Sequence, residues 1–118
     1  MVRILVTGGR DFDDENFLFT TLDQLHHEEH ITQLIHGAAR GADSLASDWA
    51  NLRGIKSLPC PANWKLFGRA AGTLRNKQML EDFKPDLVLA FPGGSGTRHM
   101  IGIAQKAGIR VVLAAAGS

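Results

Sequence analysis

The sequence predicts a single α/β domain of Rossmann type, a three-layer fold in which helices cover both faces of a parallel sheet. Five short apolar runs alternate with helical patterns along the 118 residues, which is the order of βαβ units. Most of these runs are continuous in apolar residues, as strands are when both faces are buried. Right-handed crossovers leave few arrangements, and we predict about five strands in the order 3-2-1-4-5.

The predicted elements follow from where the apolar residues recur. Strands are predicted at Val2–Thr7, Ile31–His36, Ile55–Leu58, Leu87–Phe91 and Arg110–Leu113. Helical spacing predicts four apolar helix faces, formed in chain order by Leu18, Leu22 and Leu25, by Leu45, Ala46, Trp49 and Leu52, by Met79 and Leu80, and by Met100, Ile101, Ala104 and Ala107. One domain, 1–118, accounts for all of these elements.

Short polar residues predict where two of the helices begin. Asp43 or Ser44 is expected to cap the second helix and Thr97 the fourth, because such side chains accept hydrogen bonds from free backbone amides. After the last strand, the small residues 114–118 predict a frayed tail.

Composition narrows the classes of function. The 13 basic and 12 acidic residues give a formal charge of +1, so a surface built for broad contact with nucleic acid is not expected. Cys60 is the only cysteine, which excludes an internal disulfide and predicts a cytoplasmic protein with a buried thiol. The chain has no leader pattern and no apolar run of about 18 residues, so no membrane partner is predicted.

Three of the predicted strands run directly into glycine-rich loops. These loops are Thr7–Asp11, His36–Asp43 and Phe91–Thr97. Because parallel strands end at one edge of the sheet, the loops are expected to converge, with the first and third facing each other across the topological switch point. Glycine lets a loop turn sharply and present its amides to an anion, and the following helix adds partial positive charge. The convergence predicts a site for a phosphate-bearing ligand.

Arginines and acids accompany these loops. The arginines in or beside the loops are Arg10, Arg40, Arg69, Arg75 and Arg98. Guanidinium groups donate in pairs to phosphate or carboxylate, so five of them suggest a ligand with several anionic groups, or with a phosphate and a ribose. The carboxylates of Asp11 and Asp43 are expected to accept from ribose hydroxyls or to orient the arginines.

Other patterns are interpreted more simply. Neither Gly8-Gly9 nor Gly93–Gly96 matches a dinucleotide or P-loop fingerprint, and each glycine pair alone would be only a turn. The segment His26–His30 matches the zinc pattern H-x-x-E-H, but it falls at the end of a helix whose dipole suits histidine, and no metal is predicted. Trp49 is interpreted as core, whereas Trp64 either covers a base or simply packs.

With these residues in view, the sequence resembles the SLOG superfamily, specifically its short YspA-like branch. The resemblance rests on Leu5–Asp11, His36–Asp43, Gly68–Met79 and Pro92–Thr97, and it spans nearly the whole chain. It implies a Rossmann-like domain of bacteria and their phages that senses or processes a nucleotide-derived ligand. It also implies a homo-oligomer.

The wider superfamily includes the LOG phosphoribohydrolases, which cleave the N-glycosidic bond of nucleoside monophosphates. Pro92–Thr97 matches the first part of their PGGxGTxxE pattern, and Arg75, ahead of Met79, corresponds to their arginine. Met100 stands where that pattern has glutamate, and methionine cannot polarise a ribose hydroxyl or stabilise an oxocarbenium ion. The resemblance therefore implies phosphate binding more strongly than LOG-type hydrolysis.

The predicted ligand-binding residues combine the three loops with the stretch before the third apolar helix face. They are Thr7, Gly8, Gly9, Arg10, Asp11, His36, Gly37, Arg40, Gly41, Asp43, Arg75, Asn76, Pro92, Gly93, Gly94, Ser95, Gly96 and Thr97. The amides of Gly93–Thr97 are expected to hold the phosphate, with Arg75 and Arg40 as cationic partners. No cofactor is predicted to be required.

Two alternatives to a nucleotide-binding domain stay open. The first is a hydrolase that cleaves the N-glycosidic bond or phosphate of a nucleoside phosphate, with Arg75, Asp11 and Asp43 as candidate catalytic residues. The second is a nucleic-acid-binding domain, because the SLOG superfamily also contains a DNA-processing branch. The near-zero net charge disfavours the second alternative.

Overall fold

The strands and helices alternate along the chain as βαβ units. A computed structural model describes residues 1–115. The elements are β1 (Val2–Thr7), α1 (Glu15–Glu29), β2 (Ile31–His36), α2 (Ala42–Arg53), β3 (Lys56–Pro59), α3 (Trp64–Phe67), a 3₁₀ turn (Gly68–Ala70), α4 (Ala71–Phe83), β4 (Leu87–Ala90), α5 (Ser95–Lys106) and β5 (Arg110–Leu113). The short α3 and the 3₁₀ turn were not predicted, because four residues carry too little periodicity to indicate a helix.

The five strands form one parallel sheet in the order β3-β2-β1-β4-β5, which confirms the predicted fold class and topology. At its centre, Leu5 of β1 pairs with Ile35 of β2 on one side and with Val88 of β4 on the other. From β1 the chain builds the sheet outward through β2 and β3 on one side and then returns to add β4 and β5 on the other, so the boundary between β1 and β4 is the switch point of the sheet.

Helices cover both faces of the sheet, as the continuous apolar runs predict. Ile4 and Val6 of β1 pack into a cluster with Leu22 of α1 and Trp49 of α2, which confirms Trp49 as core. Leu5 points to the opposite face and packs with residues of α4 and α5, including Met100. Side chains of a strand alternate between the two faces, so each strand contributes to both cores.

Several details of the predicted helices are wrong, among them Ala107, which follows α5 as an exposed C-cap residue and is not part of its apolar face. Gly41 and Gly94 occupy the cap positions of α2 and α5, so Asp43, Ser44 and Thr97 are not caps. The side chains of Asp43 and Thr97 are buried inside the first helical turn, where they contact the preceding loops. Leu52 is 68% exposed because it lies about a third of a turn away from the buried face of α2.

The first residue after β5 continues the pairing of that strand with β4. The Ala114 amide donates to the Ala90 carbonyl at 2.8 Å. Of the predicted frayed tail 114–118, residues 116–118 lie outside the described residues. Within residues 1–115, no helix has the length and apolar character needed to cross a membrane.

Candidate ligand-binding site

The three glycine-rich loops meet at the carboxyl edge of the sheet, as the sequence predicts. The Gly9 amide donates to the Pro92 carbonyl at 2.9 Å, which joins the first loop to the third. The Gly9 carbonyl accepts from the Ala42 amide at 3.1 Å, which joins the first loop to the start of α2. Gly9 therefore links all three loops through its own backbone.

Two glycines allow this close approach. A Cβ at Gly93 would lie 2.2 Å from Thr97 Oγ1 and 2.6 Å from the Gly9 nitrogen, so no larger residue fits between the first and third loops. Gly41 has φ +77°, and a Cβ there would lie 2.3 Å from the Gly9 carbonyl oxygen. Glycine at these positions is thus required by backbone packing alone, whether or not a ligand binds.

A cavity of about 940 Å³ opens between these loops and α4. This size falls at the upper end of the range for small-molecule sites. Among the predicted ligand-binding residues, those that line it are Thr7, Gly8, Gly9, Arg10, Asp11, Gly37, Asp43, Arg75, Asn76, Pro92, Gly93, Gly94, Ser95, Gly96 and Thr97.

Three predicted ligand-binding residues do not line this cavity. His36 shares a sheet face with Leu34, so its ring lies on the α2 side and bonds to Ser57 at 3.1 Å. Arg40 is exposed, pairs with Asp11 at 3.4 Å and lines a smaller neighbouring cavity of about 360 Å³. Gly41 packs against the backbone of the first loop.

The amino end of α5 presents free amides at the cavity. The Arg98 amide makes the first bond of the helix, to the Gly94 carbonyl at 3.0 Å. The amides of residues 95–97 therefore have no partner within the helix. Gly94 supplies no capping side chain, and a Cβ at Gly94 or Gly96 would meet nothing within 4 Å. Donors and helix dipole together make this end suited to an anion.

The buried carboxylate of Asp43 and the half-buried guanidinium of Arg75 also line the cavity. Asp43 Oδ2 accepts from the amides of Gly37 and Ala39 at 3.1 and 3.3 Å. Burial raises the pKa of Asp43 to about 6, although these amides and the charge of Arg75 oppose the shift. Burial also lowers the pKa of Arg75, which the Asp43 carboxylate partly offsets.

Backbone carbonyls and Asn76 hold Arg75 in place. Its Nη1 donates to the carbonyls of Gly37 and Cys60, and its Nε donates to Asn76 Oδ1 at 3.0 Å. The Asn76 amide in turn donates to the Gly96 carbonyl at 3.1 Å. Arg75 and the third loop are therefore positioned by the same buried side chain. Cys60 itself is buried, as predicted, and burial raises the pKa of its thiol.

Several lining residues were missing from the predicted ligand-binding set. The main ones are Asp13, Asp14, Trp64, Arg69, Gly72, Thr73 and Met79. Gly72, Thr73 and Asn76 share one face of α4, so the spacing from Asn76 could have identified the first two, whereas Arg69 lies in the 3₁₀ turn before the helix. The two acids follow the first loop, and Asp14 is engaged as the cap of α1, where its Oδ1 accepts from the Phe17 amide at 3.1 Å.

The histidine pattern in α1 has contacts of its own. His26 Nδ1 accepts from the Ile31 amide at 2.9 Å, which fixes the turn into β2. The rings of His26 and His30 stack with their centroids 5.1 Å apart. His26 also lies edge-on to Trp49, so this end of α1 packs on the core of the α1–α2 face.

The sheet order defines a Rossmann-like α/β domain, and a cavity opens at the switch point of its sheet. The model of the YspA, cpYpsA-related SLOG family matches residues 2–67. The chain is also 41% identical over 120 residues to the Gene 61 protein of Mycobacterium phage D29, with 95% of each chain covered. The chain belongs to the YspA, cpYpsA-related SLOG family, which confirms the resemblance drawn from its motifs.

Proposed function

We propose that the chain binds a nucleotide-derived small molecule whose phosphate accepts hydrogen bonds from the amides of residues 95–97. Membership of the SLOG family supports nucleotide-related binding or processing in general terms. The observation that carries the proposal is the uncapped amino end of α5, which opens into the cavity beside Gly94 and Gly96.

The charges around the cavity support a ligand with anionic groups. Arg10, Arg69 and Arg75 line it, and within residues 1–115 none of the three forms an ion pair. Three of the lining acids are already engaged, Asp11 with Arg40, Asp14 with the Phe17 amide, and Asp43 with two amides of the second loop. Arg10 and Arg69 can thus pair with phosphate and Asp13 can accept from ribose hydroxyls. Arg75 adds positive charge to the cavity, although its Nη1 and Nε already donate to neighbouring groups of the protein.

Arg69→Gln is expected to remove most of the thermal stabilisation that a nucleoside phosphate gives, because it deletes a cation from the cavity. Arg69 is exposed, and within the described residues its side chain forms no hydrogen bond or ion pair, so the unliganded protein should keep its Tm. Differential scanning fluorimetry with a panel of nucleoside mono- and diphosphates measures both quantities.

Arg98→Gln is the matched control. Arg98 is also exposed and also lacks ion pairs within residues 1–115, but it lies outside the cavity. Equal losses in the two variants would mean that only net charge matters, and the assignment of Arg69 to the site would be wrong.

The raised pKa of Asp43 favours a second candidate, a hydrolase in which Asp43 transfers a proton to or from a nucleoside phosphate. Asp11 is less suited, because its side chain is 96% exposed and pairs with Arg40. Met100 is fully buried in the core, so α5 supplies no carboxylate at that position. Release of free base, ribose phosphate or inorganic phosphate by the wild type, lost in Asp43→Asn, would establish this activity.

A further inference from the structure

One face of the cavity is formed by an aromatic ring that the phosphate site does not use. Trp64 is 48% exposed, and it lines both the main cavity and the smaller one. A Cβ at Gly72 would lie 3.4 Å from Trp64 Cη2, so the ring lies within van der Waals range of the first turn of α4. The Asn63 side chain caps α3 by accepting from the Leu66 amide at 3.1 Å, which holds the helix that carries Trp64.

A cation covers one face of this ring. The guanidinium carbon of Arg10 lies 5.3 Å from the ring centroid. Arg10 is exposed, and within residues 1–115 its side chain forms no hydrogen bond or ion pair. An exposed cation–π pair changes an equilibrium constant by only about two- to fivefold. Stacking of a base on an aromatic ring is worth about five- to 150-fold, so a base can displace the guanidinium.

We propose that Trp64 is the base-binding surface of the site. The base of the bound nucleotide stacks on the ring face that Arg10 covers, and the released guanidinium pairs with the phosphate or with the edge of the base. The inference rests on the proposed function, because it needs the phosphate of the same ligand at the amino end of α5. It assigns the ligand to the nucleoside phosphates and excludes sugar phosphates as equal substitutes.

Phe67 provides a matched comparison on the same short helix. It is 47% exposed, nearly the same as Trp64, but it lines neither cavity. A base-binding role concerns Trp64 alone. If instead this apolar surface were covered by a second copy of the chain, Trp64 and Phe67 would contribute alike.

The test compares Trp64→Leu with Phe67→Leu by isothermal titration calorimetry. The probes are the four ribonucleoside 5′-monophosphates and ribose 5-phosphate, which lacks a base. Trp64→Leu is expected to weaken the tightest nucleotide about tenfold and to leave ribose 5-phosphate unchanged, whereas Phe67→Leu changes neither. Because Trp49 is fully buried, quenching of the wild-type fluorescence by the nucleotide, and not by ribose 5-phosphate, is expected to report stacking on Trp64.

Each other outcome has a definite meaning. If ribose 5-phosphate binds as tightly as every nucleotide, or if Trp64→Leu binds the nucleotides like the wild type, the base-binding role is overturned and the phosphate site stands. Equal losses in both variants, with a change of oligomeric state by light scattering, overturn it in favour of a second copy on this surface. If no probe binds the wild type, the proposed function fails and the inference fails with it.

Discussion

Gly41→Ala is expected to lower the free energy of unfolding by about 4 kcal/mol and the Tm by roughly 15 °C. The backbone at Gly41 has φ +77° and ψ −128°, a region that is essentially restricted to glycine. The added Cβ would also lie 2.3 and 2.5 Å from the carbonyl oxygens of Gly9 and Arg10. Neither atom can rotate away, because both belong to the backbone of the first loop. Chemical denaturation measures the loss directly.

Gly54→Ala separates the two causes of this loss. Gly54 also has a positive φ, +69°, but a Cβ there would meet nothing within 4 Å. Its replacement should cost only the left-handed backbone strain, about 1 kcal/mol. Similar losses at Gly41 and Gly54 would contradict the tight packing of the first two loops.

The stability of the wild type relative to Asp43→Asn is expected to fall by about 2–3 kcal/mol between pH 4 and pH 7. Burial raises the pKa of Asp43 from 3.8 to about 6 in the folded protein, so folding favours the protonated form. This contribution is fully present below the unfolded pKa and is lost as the pH rises through about 6. Denaturation curves of both proteins across this range measure the difference.

Asparagine is the suitable comparison because it keeps the shape of the side chain and an acceptor for the amides of Gly37 and Ala39. All other titrating groups are common to both proteins and cancel in the difference. A stability difference that is constant from pH 4 to pH 7 would show that burial does not destabilise the charged form of Asp43.

The fold was predictable because its signals are local and repeat along the chain. The continuous apolar runs Ile4–Val6, Leu34–Ile35 and Leu87–Leu89 indicate strands with two buried faces, and βαβ handedness then restricts their order. The meeting of the glycine-rich loops follows from the same logic, since parallel strands end at one edge.

The roles of individual side chains were less predictable because they depend on loop geometry. Ala38 has φ +58°, and together with Gly41 it turns the second loop so that Arg40 faces solvent and Asp43 points inward. No periodicity in the sequence encodes such a turn. Arg75 lies on the separate helix α4, and its bond to the Gly37 carbonyl depends on how α4 packs beside that loop.

We propose that the amides of residues 95–97 bind the phosphate of a nucleotide. The most direct test is a ¹H–¹⁵N NMR titration of the wild type with the nucleoside monophosphate that binds most tightly. We expect the largest saturable shifts at the amides of Ser95, Gly96 and Thr97, followed by those of Gly8 and Gly9 on the opposite wall. Saturable shifts confined to other parts of the chain, or no shifts at millimolar nucleotide, would contradict phosphate binding at the amino end of α5.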